Sequence, residues 1–270
     1  MSDPVPAILE ADAKGEIAEI FADIRATYRI GVVNLIWRHL AVFDGALPWA
    51  WGSLKPLYVG GHVAAAAAVL RAERPLPEAP RVPAAAWACI GLHPAPVRDV
   101  IAAYDRSNPM ALAALTLLRE STAPGFVASG TPRAPVFPEE APIPLPALLT
   151  LDEMPPQAAE MVRALNAMGS TAEQPILASM YRHMAHWPGA LSLAYGVLAP
   201  LHARGELQAA IADTRGLARE EAGRMARLLP RLIAVATTGD GVNQPRPSNG
   251  IFVALMVMNS TFASSVRLSM

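Results

Sequence analysis

A chain of 270 residues has room for one large domain or two small ones, with ample length to bury a core. Its 22 basic and 23 acidic residues give a net charge of −1, which excludes the basic surplus that a nucleic-acid partner demands, and one cysteine leaves no disulfide framework and no cysteine-rich zinc site. The opening Met1-Ser2-Asp3-Pro4 is not a secretory leader, and apolar runs such as 251–258 fall far short of the ~20 residues of a membrane span, so the expectation is a soluble, cytoplasmic protein with an apolar interior.

In chain order, Ile17, Ile20, Phe21, Ile24 and Tyr28 recur at helical steps. The stretch 32–43 is apolar nearly all round, broken by Asn34, Arg38 and His39, and predicts a helix buried on most faces. Proline-rich breaks follow at 75–83 and 94–96, with Cys89 and His93 one helical turn apart between them; with no second thiol, Cys89 reads as a buried apolar residue. Ser107-Asn108-Pro109 then opens the apolar run 110–118 and predicts a helix start, Ser or Asn as cap and Pro in the first turn. Seven prolines within 121–150 forbid a regular helix and predict an extended connection long enough to wrap from one part of the chain to another. Beyond it, Met161, Val162, Leu165 and Met168 resume the helical period, with Gly169 as a stop. Ser248-Asn249-Gly250 opens the run 251–258 in the manner of Ser107-Asn108-Pro109. No alternating strand pattern occurs, so the fold class expected is all-α.

Sliding the chain by 144 positions aligns 32–63 with 176–207 without a gap. Arg38-His39 falls on Arg182-His183, Gly45-Ala46-Leu47 on Gly189-Ala190-Leu191, and Leu54, Pro56, Leu57 and Gly61 on Leu198, Pro200, Leu201 and Gly205. The chain therefore reads as a tandem helical repeat forming a pseudo-dimer: repeat 1 over 1–120, a Pro-rich linker over 121–150 and repeat 2 over 151–270, in one compact unit. The repeat supplies one two-fold-like interface of its own, which suits a monomer, and leaves a homodimer open.

The residues that could carry chemistry are few. The six histidines lack metal-ligand spacing, so no metal is expected, although His39 and His183, at matching positions, would face each other in a pseudo-dimer. Arg38 and Arg182 sit within apolar helices and need a carboxylate, backbone carbonyls or a bound anion; a matched pair of structural contacts and an anion site are the two readings. Asn108 and Asn249 are helix caps, or amides aimed at a substrate carboxylate or a catalytic water. No nucleophile-elbow, phosphate-loop or dinucleotide motif is present, and Gly239-Asp240-Gly241 is a turn signal only.

The tandem motif Arg38-His39-Leu40-Ala41 and Arg182-His183-Met184-Ala185-His186-Trp187-Pro188-Gly189, with Leu198-Ala199-Pro200 and Ser107-Asn108-Pro109, resembles the group I 2-haloacid dehalogenases over most of the chain. The resemblance implies an all-helical pseudo-dimer with its active site between the repeats. It also implies hydrolysis of both enantiomers of short 2-haloalkanoic acids to 2-hydroxy acids of inverted configuration, with no metal or organic cofactor and no covalent ester. In that family an aspartate activates the water and an asparagine holds it. Carried over by position, the asparagine is Asn108 and the serine before the aspartate is Ser179, while the aspartate itself falls on Met180, which cannot accept a proton. Val32 and Leu35 take apolar pocket positions, smaller than the aromatics expected there. His183, three residues beyond Met180, and His186 are the nearest replacement bases. The implied partner is a small carboxylic acid, with Arg38 and Asn249 among its contacts. Two rivals remain: a small-acid or hydrophobic-ligand binding protein on the same scaffold, and a helical hydroperoxidase-like redox protein using Cys89.

Overall fold

The computed structural model describes residues 5–139, 141–170 and 177–229, and within them every regular element is helical. Ten α-helices run in the order α1 Gly15–Tyr28, α2 Leu35–Leu40, α3 Ala46–Val59, α4 His62–Glu73, α5 Ala84–Cys89, α6 Ala95–Ser121, α7 Pro156–Ala167, α8 Ser179–Met184, α9 Pro188–Ala203 and α10 Glu206–Ala226. A short 3-10 turn at Leu151–Glu153 precedes α7, its Thr150 and Glu153 forming a reciprocal cap. Among the described residues the nearest approach to a strand is a single parallel bridge between Ile30 and Ile143.

Helix boundaries fall at matching places in the two stretches that the 144-residue shift superposes. α2 and α8 have six residues each and end on His-Leu and His-Met; α4 and α10 both begin one residue after a left-handed glycine, Gly61 at φ 74° and Gly205 at φ 75°. Pro56 and Pro200 lie inside α3 and α9 at matching positions. Gly61 is indispensable for a second reason. A Cβ there would come within 2.7 Å of the Val136 carbonyl oxygen and 3.0 Å of the Phe137 ring, so a larger residue would push the linker off α4.

α6 is the central element. It packs against α4, α3, α8 and α10, and every residue from 107 to 118 is buried. The helix start expected at Ser107-Asn108-Pro109 is not found: α6 begins at Ala95 and passes straight through, with Pro109 in its interior. Pro109 lacks the N–H that would reach the Asp105 carbonyl, a defect costing ~3 kcal/mol in a helix interior. Complete burial of Leu112, Leu115, Leu117 and Leu118, at roughly 1.5–3 kcal/mol per side chain, outweighs it. Ser107 and Asn108 are therefore interior residues and not caps. A second correction concerns Cys89, which is exposed at the end of α5, because the buried face of that short helix is taken by Trp87. The helix expected over 32–43 is shorter, Leu35–Leu40, yet it is buried on nearly every face as anticipated.

The Pro-rich segment runs extended over both parts of the helical body. Gly31 N–H donates to the Ile143 carbonyl (3.3 Å), Val136 N–H to Gly61 (3.0 Å) and Ser129 N–H to Gly223 on α10 (3.0 Å). Arg133 grips the buried Glu221 carboxylate of α10 with two hydrogen bonds of 2.8 Å. Further along, the Leu149 carbonyl accepts from Arg182 (2.7 Å) and the Ala147 carbonyl bonds His186 (2.8 Å). No helix among the described residues is long and apolar enough to cross a membrane.

Candidate active site

Three helices each contribute two polar residues four positions apart, and helical periodicity puts each pair on one face. They are Asn34 and Arg38 at α2, Tyr104 and Asn108 on α6, and Ser179 and His183 on α8. All six are buried. Such a set must be hydrogen-bonded to be tolerated, and each of the six side chains makes at least one hydrogen bond to another of them. Arg38 donates from Nε to the Val33 carbonyl and from an Nη to Ser179 Oγ, both at 3.0 Å. Ser179 in turn hydrogen-bonds Tyr104, and the Tyr104 hydroxyl lies 2.9 Å from His183 Nδ1. The His183 ring also bonds the carbonyl of Pro146.

A second cluster surrounds Asn108. Asn34 Nδ2 donates to Asn108 Oδ1 (2.9 Å) and to Ser107 Oγ (3.2 Å), while the buried Asn34 Oδ1 has no hydrogen-bond partner among the described residues. Asn108 is one helical turn from Tyr104, so the two clusters share the α6 face.

The electrostatics are specific. Burial, then the charges of His186, Arg182 and Arg38, push the His183 pKa down to about 4. Burial raises the Tyr104 hydroxyl above its usual value against the opposing pull of Arg38, Ser179 and Arg182. Both groups are thus neutral at neutral pH.

Of the residues singled out from sequence, Arg38, Ser179 and His183 share one hydrogen-bond chain, and Asn108 anchors the adjacent cluster. Met180, Val32 and Leu35 are buried apolar residues. Asn249 lies outside the described residues. His39 and His183 do not face each other: His39 Nδ1 bonds the Pro6 carbonyl at 2.7 Å, while His183 turns to Tyr104. Arg38 and Arg182 do make comparable contacts, each donating through Nε to a backbone carbonyl. Sequence reasoning missed Tyr104, whose signal was its place one turn before Asn108, and Asn34, which it saw only as an interruption of an apolar run. Among the described residues no three His, Cys, Asp or Glu side chains gather as a metal site requires.

No known family profile matches the chain. It is 29% identical over 214 residues to a configuration-inverting 2-haloacid dehalogenase of Alcaligenes xylosoxydans xylosoxydans, covering 74% of this chain and 71% of that one. Among solved structures, it is similar to a D-2-haloacid dehalogenase mutant in complex with D-2-CPA (TM-score 0.70, 20% identity, 99% of this chain and 97% of that one). It is also similar to a D-2-haloacid dehalogenase in complex with L-LA (TM-score 0.72, 20% identity, 97% and 94%). The shared sequence over most of both chains, on a shared all-helical fold, supports the resemblance of this chain to the group I 2-haloacid dehalogenases.

Proposed function

We propose that the chain hydrolyses a short 2-haloalkanoic acid by direct attack of water on C2, with no cofactor, at the seam where α2, α6 and α8 meet. The observation that carries this reading is the open acceptor Asn34 Oδ1, buried beside Asn108, which lies one α6 turn from the Tyr104 that meets His183. A water held there by the two asparagine amides attacks C2 on the side opposite the carbon–halogen bond. That bond breaks to halide, and the product is the 2-hydroxy acid of inverted configuration. The water's proton passes to the Tyr104 oxygen as Tyr104 gives its own to His183 Nδ1. The positive charge of Arg38 favours the substrate carboxylate in the same seam.

Met180 provides no base, and the tuning of His183 answers that loss. At a pKa of about 4 its imidazole has the proton affinity of an ordinary aspartate, ~3.9, and stands unprotonated throughout the neutral range. The site thus has a base of the strength that an aspartate would supply, carried by a neutral ring.

The test is halide release from racemic 2-chloropropionate, with the configuration of the product read on a chiral column. Turnover is expected, falling by roughly 100-fold or more in His183→Gln, in line with loss of a general base; absence of release above the blank between pH 6 and 10 defeats the catalytic reading. Buried Met180 at the aspartate position favours one alternative, a binding protein for short acids. Saturable binding of 2-chloropropionate without halide release is its signature.

A further inference from the structure

A second cleft lies away from this seam, between the C-terminal ends of α1 and α3, the face of α4 and the linker. Its volume is about 270 Å³, slightly below the ~300–1,000 Å³ of pockets for drug-sized ligands. Three arginines, Arg29, Arg71 and Arg106, and no acid are among its lining residues. Its floor is fixed by a directional chain: Trp37 Nε1–H donates to Tyr28 Oη (3.0 Å), Tyr28 is hydrogen-bonded to Tyr58, and Tyr58 donates to the Met110 carbonyl (3.2 Å). Its lip is apolar and exposed, with Phe137 67% and Val59 63% accessible.

Two features show that the walls are built and held. Arg29 is the one non-glycine among the described residues with positive φ, 53°, a conformation costing roughly 1–2 kcal/mol. Its carbonyl accepts from an Arg106 Nη at 2.9 Å, and the same Nη donates to the Ala141 carbonyl at 2.9 Å, which fastens the guanidinium between α6 and the linker. On the opposite side, the close approach at Gly61 seats Val136 and Phe137 against the start of α4. Arg71, half-buried on α4, has no hydrogen bond or ion pair among the described residues.

We infer that this cleft binds a small monocarboxylate with an unbranched apolar body, its carboxylate on Arg71 and Arg106 and its hydrocarbon against Phe137, Val59 and Met110. An arginine pair selects a planar anion, and the exposed apolar lip, unusual on a polar surface, is what the hydrocarbon covers. The cleft does not depend on the dehalogenase reading, because none of the six seam residues lines it.

The experiment is calorimetric titration of the full-length chain with hexanoate. Saturable binding is expected, weakened at least about tenfold by Arg71→Met and by Phe137→Ser, and unaltered in Asn108→Ala. Phe137 is exposed and Arg71 half-buried, and matching circular dichroism checks that each variant folds. Binding lost in Asn108→Ala but kept in Arg71→Met places the guest in the seam and overturns the proposal. So does the absence of saturation at millimolar hexanoate, or equal affinity for 1-hexanol, which lacks the charge.

Discussion

His183 shows how much of a site is decided by the surroundings of one ring. Its reference pKa of ~6.5 would leave it part-protonated near neutrality. Burial and three nearby cations or incipient cations lower it to about 4. The same shift is a statement about stability. Between pH 6.5 and 4 the unfolded chain binds a proton at this residue that the folded chain refuses, so stability rises with pH across that window and is lost as pH falls through it. Integrated from pH 7 to pH 5, this one group contributes about 2 kcal/mol of destabilisation. His183→Gln removes the titration, and its urea midpoint is expected to fall less steeply between those two pH values than that of the parent chain. Parallel pH dependences in the two proteins would show that the ring titrates normally. Met180 next to it is the contrasting case, a residue whose burial says nothing of chemistry.

The elements show where the sequence was legible. Apolar periodicity on 17–28 and 161–168 found α1 and α7, and the 144-residue shift found the shared boundaries of α2 with α8 and of α4 with α10, because packed helices keep their glycine starts and buried faces. It failed at α6, where local rules for Ser-Asn-Pro favour a helix start while burial from both sides, which one helix's sequence cannot express, favours continuation. The site shared this division. Arg38, Ser179, His183 and Asn108 stand out as polar residues in apolar runs, whereas the Tyr104 link exists only once α6 and α8 are apposed. The linker adds an element-scale prediction. Its hold on α10 rests on Arg133, whose two charge-assisted bonds satisfy a carboxylate that is 2% exposed. Arg224 also reaches Glu221, at 3.2 Å. Arg133→Met leaves one buried charge with a poorer partner and is expected to cost about 1–2 kcal/mol in urea unfolding. It should also speed proteolytic cleavage within 121–150 while the helical circular dichroism is retained; an unchanged cleavage rate would mean that backbone bonds alone hold the strap.

At the scale of the whole molecule, the seam determines whether the two parts of the chain are separable. Arg38 and Tyr104 belong to the first part and Ser179 and His183 to the second, and all four are buried and joined by hydrogen bonds across the seam. α6 packs on one side against α4 and α3 and on the other against α10 and α8, so part of the buried run 107–118 would face water without the second part. Each leucine uncovered there costs roughly 1.5–3 kcal/mol, a sizeable share of the ~5–15 kcal/mol stability of a typical domain. We therefore propose that repeat 1 and repeat 2 form one cooperative unit, with the linker as a strap between them. Chains 1–150 and 151–270 expressed separately are expected to lack cooperative unfolding, and to regain helical circular dichroism and a single transition when mixed in equal amounts. A fragment 1–150 that unfolds cooperatively as a monomer would show instead that α6 finishes its core within repeat 1, and that the buried Arg38–Ser179–Tyr104–His183 chain is a contact between two finished domains.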